Sequence, residues 1–312
     1  MADFGILLPT REQIIHDRDE ARSLIRLADK AEELGFESLW VGDSTLARPR
    51  HEPLTLLSAV AGRTERIKLG TAVLIVPQRH PVVLAHQIAT LDQISEGRMI
   101  LGVGFSIDVP NVRAEFAAMG VPFEKRASRM LEAIQLCQAL WRDEEVDWDG
   151  RWRLRDAHLR PKPFQAGGPR VWGGGSADPS LVRAGKYFDG WMPTGPNDPS
   201  TWARQWEVVQ TNARQAGRSA DDLTGALYAT VTVAENAEVG EAQLMAYLRS
   251  YYGSVAEVMR AEEACYGGPI DGLGPWLQGF VAAGVQHIVL RFAGDHDLQL
   301  EAVARLRQEL GW

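Results

Sequence analysis

Residues Thr64–Ser106, TERIKLGTAVLIVPQRHPVVLAHQIATLDQISEGRMILGVGFS, constrain the fold of this chain more than any other stretch. Ile67–Val76 is an apolar, β-branched run suited to a strand covered on both faces, and it stops at Pro77. His80-Pro81 opens a helix that runs to Ile94 with Val83, Ile88 and Leu91 facing inward. Ser95–Gly97 breaks that helix, and Met99–Val103 supplies a second buried run. Strand, helix and strand in this order make a βαβ unit, so the two strands are parallel.

The same alternation extends along the whole chain and predicts an α/β TIM (β/α)8 barrel with insertions. The remaining strands are expected at Asp3–Leu8, Phe36–Val41, Arg170–Gly174, Asp189–Met192, Leu223–Val233 and His287–Phe292. Helices are expected over Asp19–Leu34, Pro53–Gly62, Pro199–Ala216, Gly240–Ala264, Gly272–Ala283 and Leu298–Leu310, with a longer helical region over Arg113–Trp141. Val146–Arg160 is polar and aromatic and is expected as an irregular hairpin, and Glu238–Gly268 exceeds one helix and is expected as an added subdomain. With no linker to divide it, the chain is expected to be a single domain, residues 1–312, with insertions near 146–160 and 238–268.

Charge and composition remove several classes of function. The 33 Lys and Arg are outnumbered by 41 Asp and Glu, for a net charge of -8 and no basic stripe, which argues against nucleic acid or an anionic membrane as partner. No segment reaches the ~20 apolar residues that a membrane span requires, and MADFGILLP lacks the pattern of a signal peptide, so a cytoplasmic location is expected. Cys137 and Cys265 are far apart, and the seven histidines show neither HxH nor HExxH spacing. A disulfide framework and a protein-bound catalytic metal are therefore not expected. Cys137 falls at helical spacing with Met130, Ile134 and Trp141, which suits core packing.

In such a barrel, chemistry belongs at the carboxyl ends of the strands, and five places there stand out. Gly42-Asp43-Ser44 follows the second strand; its carboxylate and hydroxyl suit a substrate or a cofactor ring edge, and equally an N-cap or turn. Gly70-Thr71-Ala72-Val73 interrupts the third strand with small residues, the mark of a bulge or of a close approach by backbone or ligand. Gly102–Ser106 offers bare backbone after the fourth strand, but Ile107 takes the place of the third glycine of a dinucleotide fingerprint. Trp172–Pro179, WGGGSADP, leads from strand to helix and suits a phosphate cradle, or else a flexible turn. Asp189–Pro193 brings Trp191 to the same rim or into the core.

Beyond these local patterns, the segments LGFESLWVGDS, RIKLGTAVLIVPQRHPVVLAHQIATLDQISEGRMILGVG, EFAAMGVPFEKR, RPKPFQ and VWGGGSADPSLVRAGKYFDGWMP, in that order, resemble the bacterial-luciferase-like oxidoreductases over nearly the whole chain. The resemblance implies a barrel that is a homodimer and binds reduced FMN or the deazaflavin coenzyme F420 at its C-terminal face. It implies a small-molecule substrate and a separate flavin or F420 reductase as a partner. Gly173, Gly174, Gly175 and Ser176 match the family's phosphate-binding loop, with Arg126 as a helper. A non-prolyl cis peptide that shapes the third-strand bulge in several members matches Ala72–Val73, so Gly70, Thr71, Ala72 and Val73, with Gly104, are expected to back the cofactor ring.

The chain departs from one subgroup: F420-dependent alcohol and sugar-phosphate dehydrogenases show Asp-His after the second strand and an acid after the fourth-strand glycines. Asp43-Ser44 and Phe105-Ser106-Ile107 stand there here, and a serine alone is no general base. LGVG and HPVVLAHQ are closer to the deazaflavin branch, so F420 is slightly preferred over FMN. Asp43, Ser44 and His80 are the candidate catalytic residues, with Arg291 as a further polar contact; Arg291 could equally pair with an acid at the rim. The expected function is hydride transfer or monooxygenation on an unknown small organic molecule. The alternative is a flavin-binding protein without turnover.

Overall fold

The computed structural model describes residues 2–312. Eight parallel staves close into a barrel: β1 (Asp3–Leu7), β2 (Ser38–Val41), β3 (Lys68–Thr71), β5 (Met99–Gly104), β8 (Arg170–Gly173), β9 (Gly190–Trp191), β10 (Thr224–Val233) and β12 (His287–Phe292). β10 pairs with β9 through Thr224 and Gly225 and with β12 over Ala226–Val231, which completes the ring. Three further strands lie outside this count: β4 (Leu74–Ile75) continues the line of β3, β6 (Val146–Asp149) pairs antiparallel with β7 (Arg153–Ala157), and β11 (Ala264–Gly268) pairs with β10.

The outer helices are amphipathic and turn one stripe to the staves. In α2 (Arg22–Glu33), after the short α1 (Thr10–Ile15), Leu24, Leu27, Ala28 and Ala31 repeat at three- and four-residue intervals and are all buried. After α3 (Pro53–Ala61), the helix α4 (Pro81–Ile94) buries Leu84, Ile88 and Leu91 as its spacing predicts. Val83, expected inside, is exposed, because the adjacent Leu84 occupies the inward position.

Inside the barrel, Leu7, Trp40, Ile100, Trp172, Met192, Tyr228 and Val289 pack into one lumen cluster. Trp40 and Trp172 lie with ring centroids 5.1 Å apart. Gly70 makes room for them, since a Cβ there would overlap the Trp40 ring. The Gly70 contact explains the small residue in the third strand: it accommodates lumen packing and does not touch the cavity described below. Thr71 is likewise buried, with its hydroxyl donated to the Gly102 carbonyl at 2.7 Å.

The third strand is interrupted between Thr71 and Leu74, where its small residues placed the bulge, and the Ala72–Val73 peptide there is cis, as the resemblance implied. Other elements differ from the sequence-based expectation. The helical region after β5 is two helices, α5 (Pro110–Ala118) and α6 (Arg126–Arg142), separated by a turn with Gly120 and Lys125 at positive φ. β9 is only two residues long because, after the Met192 amide donates to the Gly173 carbonyl at 3.0 Å, Pro193 has no amide to extend the ladder. Between β9 and β10 runs α8 (Pro199–Gln215), and α7 (Asp178–Tyr187) precedes β9.

The stretch expected as one helix over Gly240–Ala264 is α9 (Ala237–Tyr252), a 3-10 turn, α10 (Ala256–Glu262) and then β11. With β12 on one edge of β10, β11 takes the upper part of the other edge, which the short β9 leaves open. A five-residue run ending in two glycines carries too little periodicity to stand out in sequence, and its strand form comes from that vacant edge. α11 (Ile270–Ala282) and α12 (His296–Leu310) complete the ring of helices. Among the described residues no helix is long and apolar enough to cross a membrane, and no group of three or more His, Cys, Asp or Glu could hold a metal ion.

Candidate active site

The loops that follow the carboxyl ends of the staves surround one cavity of about 860 Å³. It brings together Asp43, Ser44, Ala72, Val73, Gly104, Arg126, Gly174, Gly175 and Ser176, all singled out in the sequence. Gly70, Thr71, Gly173 and His80 are not among its lining residues. Gly173 packs behind the loop, where a Cβ would stand 3.0 Å from Phe188 Cε2. His80 is the N-cap residue of α4, and its ring lies edge-on to Trp152 of the hairpin with centroids 6.2 Å apart.

At one end of the cavity is the start of α7. The Gly174 amide is spent on the Val103 carbonyl at 3.2 Å and fastens β8 to β5, so it is not part of any cradle. The amides of Gly175, Ser176 and Ala177 receive no protein acceptor among the described residues. Gly175 has φ +96, a left-handed conformation that a side chain would strain. Its carbonyl accepts from the Trp191 indole at 2.9 Å, which pins the loop. Trp191 itself is fully buried and stacks on Trp206, so its place is in the core. Arg126 reaches this region from the first turn of α6; its guanidinium lies 3.9 Å from the Phe123 ring centroid and its Nε donates to the Ser106 carbonyl at 3.3 Å. A helix N-terminus with unfilled amides, beside a guanidinium without a carboxylate, is a positive site for an anion such as phosphate.

Along the floor, the cis Ala72–Val73 step faces Gly104, where a Cβ would overlap the Val73 side chain, and Gly174, where one would stand 3.3 Å from Val73 Cγ1. Missing side chains at these two glycines leave a smooth wall on which a flat ring could rest.

The polar groups after β2 are committed to the protein. Asp43 accepts from Arg79 Nη1 at 2.5 Å and Nη2 at 3.2 Å, and from the Ile75 amide at 2.8 Å. Ser44 accepts the Arg48 amide at 2.9 Å and donates to Glu115 at 3.3 Å. Burial opposes ionisation of Glu115, but the Leu46 and Thr45 amides outweigh it and hold its carboxyl below the ordinary value. Asp43 and Ser44 thus shape the loop, as the turn alternative allowed, and neither presents a free base.

Opposite, a buried network missed by sequence reading fills the wall. Arg291 is 1% exposed and donates to Glu263 at 2.6 Å, to the Tyr252 hydroxyl at 2.8 Å and to Thr230 Oγ1 at 2.9 and 2.6 Å. Tyr252 in turn donates to Glu263 at 2.5 Å. Burial pushes the Tyr228, Tyr247 and Tyr252 hydroxyls well above the ordinary value and keeps them protonated; burial opposes the charge on Arg291, but the Glu263 carboxylate beside it holds its pKa above the ordinary value. Of the two roles the sequence left open for Arg291, pairing with an acid is the one observed. Tyr228 stands on β10, but Tyr247 and Tyr252 come from α9 and Glu263 from the residue before β11, and nothing in the local sequence of these three marks them as facing a strand end. Asp189, the other acid at a strand end, accepts the Val171 amide at 2.9 Å and pairs with Arg218. Cys137 is buried, donates to the Pro81 carbonyl and has its thiol pushed up by burial, so it is core; the Cys265 thiol is pushed up to about 11 by burial.

A closed parallel barrel with a hollow at its C-terminal face, floored by bare backbone and flanked by a helix start with unfilled amides, is a cofactor-type α/β barrel. The chain belongs to the luciferase-like monooxygenase family, whose model matches residues 2–310. It is 37% identical over 193 residues to an F420-dependent glucose-6-phosphate dehydrogenase of Amycolatopsis mediterranei, a match that covers 55% of this chain and 57% of that protein. The chain thus spans less than two thirds of the length of that relative. To the limonene 1,2-monooxygenase of Rhodococcus erythropolis it is 28% identical, over 99% of this chain and 78% of that one. Two solved structures share the fold: the coenzyme F420-dependent tetrahydromethanopterin reductase of Methanopyrus kandleri (TM-score 0.80, 21% identity, 97% of each chain) and the long-chain alkane monooxygenase LadA (TM-score 0.83, 16% identity, 99% of this chain and 92% of that one).

Proposed function

We propose that this protein is an oxidoreductase that binds coenzyme F420 or reduced FMN in the rim cavity, F420 being preferred, and acts on a small organic substrate. The observation that carries this conclusion is the convergence of unfilled amides, Arg126 and the glycine-walled Val73 floor on one hollow of about 860 Å³. That volume suits a cofactor with a small substrate, since such sites occupy roughly 300–1,000 Å³. The preference for F420 rests on the LGVG and HPVVLAHQ segments and on the 37% identity to a dehydrogenase named for that coenzyme. Likeness to a limonene monooxygenase along 99% of the chain keeps oxygen insertion as the other chemistry.

Bound here, the deazaflavin would supply hydride exchange, or the reduced flavin oxygen activation. The amides of Gly175, Ser176 and Ala177, with Arg126, would hold the phosphate, and Val73, Gly104 and Gly174 would support the ring. Ile75, Met192 and the protonated Tyr228 and Tyr252 would exclude bulk water and orient the substrate, with no protein nucleophile involved.

The test is a fluorescence titration of the protein with FMN, FAD and F420, each oxidised and reduced. Micromolar or tighter binding of F420 or FMN is expected, weakened about tenfold or more by Arg126→Ala through loss of a charge-assisted contact. No binding of any of them would sink the proposal. The commitment of Asp43 and Ser44 to structural bonds favours one second possibility, a flavin-binding protein without turnover. Tight binding with no NAD(P)H oxidation, oxygen uptake or F420 bleaching across a substrate panel would select it.

A further inference from the structure

On the β1–β2 side of the cavity stand three cations that the protein leaves without counter-ions. Arg48 and Arg50 line the hollow, and Arg11 lies beside them with its guanidinium 4.3 Å from the Tyr251 ring centroid. Among the described residues, no carboxylate is within salt-bridge distance of any of the three. Arg11 Nη1 is shut off from solvent and has no partner at all. Of the nearby acids, Asp43 and Glu52 hold Arg79, Glu115 holds the loop amides and Glu263 holds Arg291; Glu12 accepts from the Tyr247 hydroxyl and acts on Arg50 through its charge without forming a salt bridge to it. Glu262 also lines the cavity, but it is exposed.

Arg50 is held close to the floor. Gly42 has no side chain, and a Cβ there would overlap Arg50 Nη1 and stand 3.6 Å from the Ala72 carbonyl oxygen, so the guanidinium lies next to the cis step. Tyr251 and Tyr252 stand with it, the Arg48 guanidinium lying 5.8 Å from the Tyr252 ring centroid. Clustered, partly desolvated guanidinium groups repel one another unless an anion joins them, and two such forks match the oxygens of a carboxylate or phosphate.

We infer that the substrate of this site is a small organic anion whose carboxylate or phosphate sits on Arg48 and Arg50 while its uncharged part lies against Tyr251 and Tyr252. This inference rests on the cofactor proposal for its chemistry but not for its test. Binding of benzoate, inorganic phosphate and the neutral benzyl alcohol is measured by calorimetry, both on protein saturated with whichever cofactor binds and on cofactor-free Arg126→Ala protein, in which the helix-start site is weakened. Saturable binding of benzoate or phosphate is expected, at least tenfold weaker in the double variant Arg48→Gln/Arg50→Gln, partly restored by Arg48→Lys/Arg50→Lys, and benzyl alcohol is expected to show no such difference. Benzoate against phosphate distinguishes the two anions.

Circular dichroism of the variants reports whether they fold, and the lysine variant carries the test if the glutamine variant does not. Anion binding that is absent, matched by benzyl alcohol or unchanged in the variants overturns the assignment. Loss of cofactor affinity in a folded Arg48→Gln/Arg50→Gln protein would show that the anion is the cofactor's own, which also overturns it. Failure of every cofactor to bind wild type would sink the cofactor proposal alone, since the cofactor-free arm still decides this one.

Discussion

Arg291 and Glu263 each have side chains 2% exposed and are tied to each other, to Tyr252 and, for Arg291, to Thr230. A buried ion pair adds little net stability over well-packed apolar groups, but removing one partner strands the other charge. Glu263→Gln is therefore expected to destabilise the protein by about 3–5 kcal/mol, and the double change Glu263→Leu/Arg291→Met to restore much of that loss. Urea unfolding midpoints measure both. A cost below about 1 kcal/mol for Glu263→Gln would mean that the network is hydrated and behaves like a surface pair. At this scale the sequence showed the small residues of the site well and its charged residues poorly. Glycines and serines after strands are legible because backbone geometry demands them locally, whereas Arg48, Arg50 and Glu263 acquire meaning only from what faces them.

At the level of elements, the start of α7 is where backbone conformation and the proposed phosphate binding coincide. Gly175 is at φ +96, its carbonyl is held by Trp191 and its amide opens to the cavity. Gly175→Val is expected to destabilise the fold by about 1–2 kcal/mol through left-handed strain and to lower affinity for F420 or FMN far more than that loss of stability alone implies. Thermal unfolding and a fluorescence titration on the same preparation separate the effects; unchanged affinity would show that the loop does not hold the phosphate. The strand-to-helix glycine run was readable from sequence, as was the break in the third strand. The division of labour within the run was not, because Gly173 and Gly174 are spent on Phe188 and Val103, neighbours supplied by the barrel.

For the molecule as a whole, pH should act through His287, shut inside it, and the half-buried His296. His287 closes the lumen at the opposite end, its Nε2 2.7 Å from Ser38 Oγ and its Nδ1 3.6 Å from Asp3. Burial outweighs the attraction of Asp3 and lowers its pKa, and burial lowers that of His296 in the same way. Between the lowered folded value and the ordinary 6.5, the unfolded chain binds more protons than the native one, so stability falls as pH drops below about 6.5. Each group contributes at most about 1.4 kcal/mol per pH unit in that window. Unfolding free energies measured from pH 7.5 down to about pH 5 should show this decline, and His287→Asn should flatten it; an unchanged slope would place the loss elsewhere. Asp3, held below the ordinary carboxylate range chiefly by the His287 ring beside it and also by its hydrogen bond from Lys68, contributes only in more acidic solution, below its ordinary 3.8.

The sequence by itself determined the alternating pattern of apolar runs and amphipathic stripes, and with it a parallel barrel whose chemistry lies at the strand ends. Periodicity and glycine placement are local properties, so they can be read without knowing what they pack against. The tertiary structure alone decided that Asp43 and Ser44 are tied up in the β2 loop, that β11 fills the edge left by the short β9, and that Arg11, Arg48 and Arg50 meet without a counter-ion. Each of those outcomes depends on groups far apart in the chain competing for the same donor, edge or charge, and only the closed barrel brings the competitors together.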